Sequence, residues 1–172
     1  MENIINDEFF EIYRRNIDTV YQISLLHLKN KSDAEDAAQT VFMKYLVSKP
    51  ELNDLNHERS WFILTSRNYC RDLLRNWWIS RRTENKIEDV YQMFENEPDG
   101  DVTAALMKLP DKYKELIYLY YYQEYSIKEI SDIICRNEST IRTQLARARE
   151  KLRKNFQLEG IENEKHKIIQ SI

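Results

Sequence analysis

Four residues late in the chain combine cationic and hydroxyl side chains at the spacing of one helix face. They are Ser139, Arg142, Thr143 and Arg147. An arginine guanidinium can donate two parallel hydrogen bonds to the edge of a guanine, whereas hydroxyl groups and cations bind phosphate oxygens. The intervening apolar residues recur every three or four positions, which predicts a helix that packs on one side and presents these donors on the other. The chemistry indicated is recognition of duplex DNA.

A second, shorter helical pattern precedes this one. Its apolar face consists of isoleucines at helical spacing: Ile127, Ile130, Ile133 and Ile134. Ser126 and Glu129 are spaced as a capping box that starts the helix, and Asn137 is a favourable N-cap for the next helix after a break at residues 135–137. The arrangement predicts a helix-turn-helix whose second helix reads DNA. The alternative is an amphipathic helix pair whose arginines lie on a solvated face and bind nothing.

Charge is distributed unevenly along the chain. The whole sequence carries a net charge of −3, which by itself argues against a nucleic-acid partner. Residues 136–157, however, hold seven Lys/Arg against two Glu, and residues 61–82 hold five Arg against one Asp. Residues 83–111 hold two Lys against eight acidic residues. Two basic segments on either side of an acidic one are consistent with two separate phosphate contacts.

The first basic segment has its own candidate contacts. Arg67, Arg71 and Arg75 recur at four-residue spacing, which predicts three cations along one helix face, facing a phosphate backbone. Asn68 lies near that face and could contact a base or the backbone.

The composition, and in particular the small number of Gly and Pro residues, predicts an all-α protein. Two Gly and three Pro are too few for the many tight turns of a β-sandwich or barrel. Helices are expected at residues 7–28, 33–47 (started by a capping box of Ser32 and Glu35) and 60–80. The tyrosine-rich segment 116–122 has β-favouring composition but keeps helical spacing. We expect two small helical domains, at residues 1–82 and 101–156. A flexible acidic linker at residues 83–100 joins them, and a tail follows at residues 157–172.

Several functional classes find no support in the sequence. The cysteines, Cys70 and Cys135, are far apart, and the three histidines occur singly, so no metal site or cofactor is expected. No nucleophile–base pair, carboxylate dyad or glycine-rich phosphate loop indicates an enzyme or a small-molecule substrate. The N-terminus lacks the basic-then-apolar pattern of a signal peptide, and no run of apolar residues is long enough to span a membrane, so neither export nor membrane insertion is expected. A reduced, cytoplasmic protein is the simplest expectation.

Three segments together resemble the bacterial extracytoplasmic-function (ECF) RNA polymerase sigma factors. Residues 33–42 read DAEDAAQTVF and resemble the polymerase-binding helix of that family. Residues 61–75 resemble its promoter-contacting helix, and residues 109–152 resemble its C-terminal helix-turn-helix. One such motif is weak, but three in the family's order and separation are specific. The resemblance covers residues 7–156 and implies sigma domain 2, a linker and sigma domain 4.

The resemblance implies roles for particular residues. Those that would bind core RNA polymerase are Asp36, Gln39 and Thr40. Those that would contact the opened −10 element of promoter DNA are Asn53, Asp54 and Asn56 in the loop, then Arg67, Asn68, Arg71 and Arg75. Those that would contact the −35 element are Ser139, Arg142, Thr143 and Arg147. An anti-sigma factor is a further implied partner.

The chain departs from the family pattern at several positions. Thr40 stands where the family usually has Glu, Cys135 and Arg136 where it has Gly and an apolar residue, and Gln144 where a basic residue is frequent. The promoter sequence therefore cannot be copied from relatives. The alternative function is a stand-alone helix-turn-helix transcriptional regulator that binds DNA without polymerase.

Overall fold

The computed structural model describes residues 2–80 and 105–159, with side chains for residues 7–76 and 105–157. The regular structure in these two ranges is helical, which confirms the all-α prediction. The helices are α1 (Glu2–Leu28), α2 (Lys31–Ser48), α3 (Leu55–Ser80), α4 (Asp111–Ile117), α5 (Ile127–Ile134) and α6 (Glu138–Glu159). A π-helical turn, Tyr118–Tyr122, follows α4. The chain divides into two compact units, Met1–Lys86 and Ile87–Ile172. The acidic linker expected at residues 83–100 lies outside the described residues, as does most of the tail expected at 157–172.

The first unit packs α1, α2 and α3 around an aromatic core. Phe42 of α2 lies at its centre, with ring centroids 4.7 Å from Tyr13 of α1 and 5.0 Å from Phe62 of α3. Phe62 is fully buried, and Trp61 packs against the same cluster. Large rings of this kind bury enough apolar surface to hold three helices together in a small unit.

The ends of these helices are set by polar side chains and left-handed residues. The side chain of Asn30 accepts from the backbone amide of Asp33 at 2.9 Å and so caps α2 in place of the expected Ser32. Lys49 ends α2 in the left-handed region, with φ of 42°. The Asp54 carboxylate accepts from the amide of His57 at 2.8 Å, so α3 begins at Leu55, earlier than the expected position near residue 60.

A half-buried ion pair joins α1 to the first turn of α3. Arg15 donates to both carboxylate oxygens of Glu58, from Nε at 3.1 Å and from Nη2 at 2.8 Å. The Asn16 amide donates to the same carboxylate at 2.6 Å. The hydrogen bond to Glu58 raises the pKa of Arg15 above its ordinary value. This bidentate contact fixes the start of α3 and therefore the end of the loop that precedes it.

The second unit contains the helix-turn-helix. Segment 116–122 is helical, as its spacing predicts, although from Tyr118 the helix widens to a π-helical turn. The capping box of α5 is present: the Ser126 amide donates to the Glu129 carboxylate at 2.8 Å, and the Glu129 amide donates to the Ser126 hydroxyl at 3.2 Å. The core is formed by buried aliphatic and aromatic side chains from all three helices and the π-helical turn: Leu116, Leu119, Ile130, Ile133, Ile141, Leu145, Leu152 and Phe156.

Candidate functional site

The turn between α5 and α6 is closed by backbone and side-chain hydrogen bonds. Cys135 ends α5 in the left-handed region, with φ of 52°, and its amide donates to the carbonyl of Ser131. The Asn137 side chain accepts from the Thr140 amide at 2.9 Å, which confirms it as the N-cap of α6. Both ends of the turn are therefore fixed, and α6 begins at a defined residue.

The exposed side of α6 presents the four residues predicted for it: Ser139, Arg142, Thr143 and Arg147. On the opposite side, Ile141, Leu145 and Ala148 are buried. Ala146 is also exposed between the predicted residues, and the polar pattern gave no signal for it. An exposed methyl group on such a face can contact the methyl group of thymine.

Three of the four side chains already have local partners. Arg142 Nη2 lies 3.0 Å from a carboxylate oxygen of Glu138, one turn earlier. The Ser139 hydroxyl donates to the Asn137 side chain at 3.0 Å, and the Thr143 hydroxyl donates to the Ser139 carbonyl at 2.9 Å. These bonds fix rotamers on an exposed surface, which reduces the entropy lost when a ligand binds.

Two cations outside this face are held by neutral groups. In the turn, Arg136 Nη1 donates to the amide oxygen of Gln144 at 3.1 Å. Further along α6, Arg149 Nε donates to the Tyr121 hydroxyl at 2.8 Å, and the guanidinium lies 5.5 Å from the ring centroid of Tyr120. The second contact attaches α6 to the π-helical turn and so orients the helix within its unit.

A separate candidate surface lies on α2. Asp36 and Gln39 are exposed, as predicted for a polymerase-binding face, and Thr40 is half-buried. The Thr40 hydroxyl donates to the carbonyl of Asp36 at 2.8 Å, so its hydrogen is used within the helix. Beside Gln39, a groove of about 320 Å³ runs between α1 and α2.

This polar face continues into apolar residues that the sequence reasoning missed. Met43 is 58% exposed and Val47 is 80% exposed. Counted from Asp36, positions 40, 43 and 47 follow at intervals of four, three and four residues, so all four lie in one row along the helix. A row with a carboxylate at one end and bare apolar side chains at the other suits a protein partner.

The loop before α3 is shorter than predicted. It spans residues 49–54, so Asn53 and Asp54 lie in the loop while Asn56 belongs to the first turn of α3. All three are exposed, although one carboxylate oxygen of Asp54 caps the helix. A cavity of about 430 Å³ opens beside the loop and is lined partly by Leu52 and Tyr45.

The three arginines of α3 do not form one exposed face, which corrects the prediction. Arg71 and Arg75 are exposed, and Asn68 with them, but Arg67 is only 7% exposed. Each four-residue step along a helix turns the side chain by about 40°, so such a row drifts around the axis. At residue 67 the row still lies on the core face, and at 71 and 75 it has reached solvent. Arg75 is further paired with Asp72 at 3.1 Å.

Two further features concern membrane spans and metal sites in the described residues. Within residues 2–80 and 105–159, no helix has both the length and the apolar character to cross a bilayer. The same part of the chain contains no group of three His, Cys, Asp or Glu side chains that could hold a metal ion.

Comparison with protein families assigns both units. The model for sigma-70 region 2 matches residues 12–79, and the model for sigma-70 region 4 matches residues 99–152. The region 2 match spans α2 and most of α3, and the region 4 match spans α4, α5 and most of α6. The α6 face therefore lies in region 4, whereas the α2 face and the loop before α3 both lie in region 2.

Individual relatives agree with this assignment. The ECF RNA polymerase sigma factor SigM of Bacillus subtilis (strain 168) is 29% identical over 83% of this chain and 91% of its own length. The RNA polymerase sigma factor SigV of the same organism is 30% identical over 74% of this chain and 78% of its own length. Among solved structures, the sigma factor RpoE of Bartonella quintana, crystallised with the anti-sigma factor NepR, has the same fold, with a TM-score of 0.67 at 17% identity over 87% of this chain and 97% of its own. Both region models and relatives that align along most of their length show that the chain belongs to the ECF RNA polymerase sigma factors.

Proposed function

We propose that the two exposed faces divide the work of transcription initiation, with α2 binding core RNA polymerase and α6 reading the −35 element. An ECF sigma factor directs polymerase to promoters, and this chain has a surface suited to each half of that task. The principal supporting observation is the α6 face, where Ser139, Arg142, Thr143 and Arg147 are exposed together while the opposite side is buried. A helix fixed at its N-terminal end by a cap and presenting donors there is suited to a major groove.

The polymerase contact is assigned to the row that begins at Asp36. The carboxylate of Asp36 and the amide of Gln39 are exposed and can accept hydrogen bonds from arginines of the partner. Burial raises the pKa of the neighbouring Asp33 carboxyl, and the charge of Asp36 adds to that effect. Thr40 contributes through its methyl group and backbone, because its hydroxyl is already bonded to Asp36. Met43 and Val47 would supply the apolar part of the interface.

The −10 element is assigned to the loop 49–54 and the exposed polar face of α3. Asn53, with Asn56 in the next turn, offers amide groups that can hydrogen-bond the edge of an unstacked base. Further along α3, the exposed Arg71 and Arg75 would contact the DNA backbone, and the exposed Asn68 would contact a base or the backbone. Arg67 is not assigned a contact, because its side chain is buried.

The remaining partners follow from the family. The solved relative RpoE was crystallised with the anti-sigma factor NepR, and we propose that an anti-sigma factor also sequesters this chain. The protein would have no catalytic chemistry of its own, because polymerase supplies it, and would act in the cytoplasm, where polymerase and promoter are found.

Reconstitution tests this function directly. Purified chain and core polymerase should co-elute and should produce run-off transcripts from a fragment pool of the native genome, whereas core alone should not. If the chain instead binds duplex DNA with high sequence specificity but never co-elutes with core, a stand-alone regulator is the correct description.

A further inference from the structure

In the turn of the helix-turn-helix, three hydrogen bonds fix the position of Arg136. The amide of Arg136 donates to the carbonyl of Ser131 at 3.1 Å, and the hydroxyl of Ser131 donates to the carbonyl of Arg136. The guanidinium donates through Nη1 to the side-chain oxygen of Gln144 at 3.1 Å, and the residue is half-buried. Backbone and side chain are therefore positioned before any ligand arrives, which lowers the entropic cost of a contact.

The charge of Arg136 is left intact by its partner. Arg142, on the base-reading face, is paired with the carboxylate of Glu138 at 3.0 Å, so much of its field is cancelled locally. Gln144 is neutral, and it accepts from one of the five N–H donors of the Arg136 guanidinium. The bond therefore directs a full positive charge and leaves donors available for an anion.

The position of this charge relative to α6 indicates which anion it meets. Arg136 lies two residues before Glu138, the first residue of α6, at the end of the helix that enters the groove. Gln144 directly follows Thr143, so its side chain projects about 100° around the helix from that base-reading residue. The guanidinium is thus held to one side of the base-reading face, and the sides of a major groove are formed by phosphates.

We propose that Arg136, positioned by Gln144, is a phosphate-binding residue at the edge of the −35 element. The inference rests on the proposed role of α6. Because phosphates are the same at every sequence, Arg136 adds affinity at all promoters without adding base preference. One phosphate contact contributes about 0.9 units to the slope of log affinity against log salt concentration. The contact therefore makes the affinity about fivefold higher at about 0.15 M salt than it is at about 1 M salt.

The test uses holoenzyme assembled from the full chain and core polymerase, with promoter affinity measured from about 50 to about 300 mM salt. Arg136→Ala should reduce the slope by about one unit and weaken strong and weak −35 elements by one common factor. Gln144→Glu should reduce the slope by a similar amount, because it keeps the bond in the turn but neutralises the cation.

Matched variants separate this role from general charge and from folding. Gln157→Glu makes the same substitution at an exposed site of α6, thirteen residues from Gln144 and about 20 Å along the helix, so it should leave the slope unchanged. Arg136→Lys should retain most of the slope. If Arg136→Ala does not fold, Gln144→Glu and Arg136→Lys decide the question, because both retain a donor and acceptor in the turn.

Two failures are distinguishable. An unchanged slope in Arg136→Ala and Gln144→Glu, with or without lower thermal stability, would show that the pair only stabilises the turn and would overturn the inference. A wild-type holoenzyme that selects no promoter would refute the proposed function instead.

Discussion

Arg142 and Arg147 lie on the same exposed face of α6 but in different turns. Arg142 follows the N-cap Asn137 by five residues, near the end of the helix that is proposed to enter the groove, whereas Arg147 lies more than a turn further on. The first position suits contact with base edges, and the second suits the backbone as the helix leaves the groove. The same residue type should therefore contribute specificity at one site and affinity at the other.

Arg142→Ala should relax preference at one or two −35 positions, because a bidentate arginine–guanine contact discriminates by about 1–3 kcal/mol. Arg147→Ala should weaken all promoters alike and reduce the salt slope by about one unit. Transcription from a library randomised across the −35 element, read by sequencing, measures both. If Arg142→Ala lowers transcription by the same factor across the whole library, Arg142 is not the base-reading residue. The proposal that α6 binds the −35 element would be unaffected.

Cys135 is a non-glycine residue in the left-handed region, with φ of 52°. Such a conformation costs an L-residue about 1–2 kcal/mol, and glycine avoids that cost while losing more backbone entropy on folding. Cys135→Gly should therefore raise the free energy of unfolding of the second unit by about 0.5–1 kcal/mol. Calorimetry of the full chain measures this, with Cys135→Ser as the control, since serine keeps the strain. Equal stability of the two variants would contradict the argument.

At the scale of elements, α2 combines packing and binding in one helix. One side buries Ala34, Ala38 and Val41, and the other exposes the row that starts at Asp36. Because the two sides do not share residues, the binding surface can be changed without changing the core.

Asp36→Arg combined with Gln39→Ala should abolish co-elution with core polymerase and leave helical content and melting temperature close to wild type. Both side chains are exposed, and surface substitutions away from special features change stability by about 0.5 kcal/mol or less. Analytical gel filtration with core polymerase and circular dichroism provide the two measurements. As a matched control, Lys31→Ala at an exposed site in the first turn of α2 should retain binding. Wild-type affinity in the double variant would favour the stand-alone regulator.

The capping box gives α5 a dependence on pH. Hydrogen bonds from the Ser126 side chain and backbone lower the pKa of Glu129 below its ordinary value of 4.5. A lowered folded-state pKa means that the stabilisation is complete above 4.5 and is lost as pH falls below it. Between about pH 6 and about pH 3.5 the wild type should lose more stability than Glu129→Gln, by less than about 1 kcal/mol because the cap is exposed. Denaturant titrations of both proteins at the two pH values would measure this difference in stability. Equal losses of stability in wild type and Glu129→Gln would contradict the prediction.

Features of this chain that depend on local sequence pattern follow from the sequence alone. The cap at Ser126, the N-cap at Asn137 and the exposed face of α6 depend on neighbours within a turn, and all three were predicted correctly. The prediction was wrong for Arg67, whose burial depends on how α3 packs against α1 and α2, and cation spacing alone does not reveal that. The predicted start of α3 was also too late. The polar residues around Asp54 are typical of a loop, but the Asp54 carboxylate caps the helix, which therefore begins at Leu55.

At the scale of the whole molecule, charge is segregated along the chain. The net charge is −3, although residues 136–157 alone carry seven basic residues against two acidic ones. A basic segment in an acidic chain has local attraction for DNA but no long-range attraction. The two units, Met1–Lys86 and Ile87–Ile172, would each contribute few phosphate contacts.

The isolated chain should therefore bind promoter duplex weakly, with a dissociation constant above about 1 µM in physiological salt. Addition of core polymerase should strengthen binding by several orders of magnitude, because it fixes both units in register with the promoter. Fluorescence anisotropy with labelled promoter, with and without core, compares the two states. Specific binding at a few nanomolar by the chain alone would contradict this expectation.

The pair between Glu138 and Arg142, 3.0 Å apart, has a consequence for the breadth of the regulon. Since the Arg142 guanidinium is already bonded to the Glu138 carboxylate, the proposed contact with a guanine would require Arg142 to exchange one partner for the other. At a mismatched base the exchange does not occur and the cation remains paired, so no group is left unsatisfied and the penalty for a wrong base is reduced. The chain should consequently tolerate degenerate −35 elements and control a graded set of genes, whose expression falls off gradually as their promoters diverge from the best site.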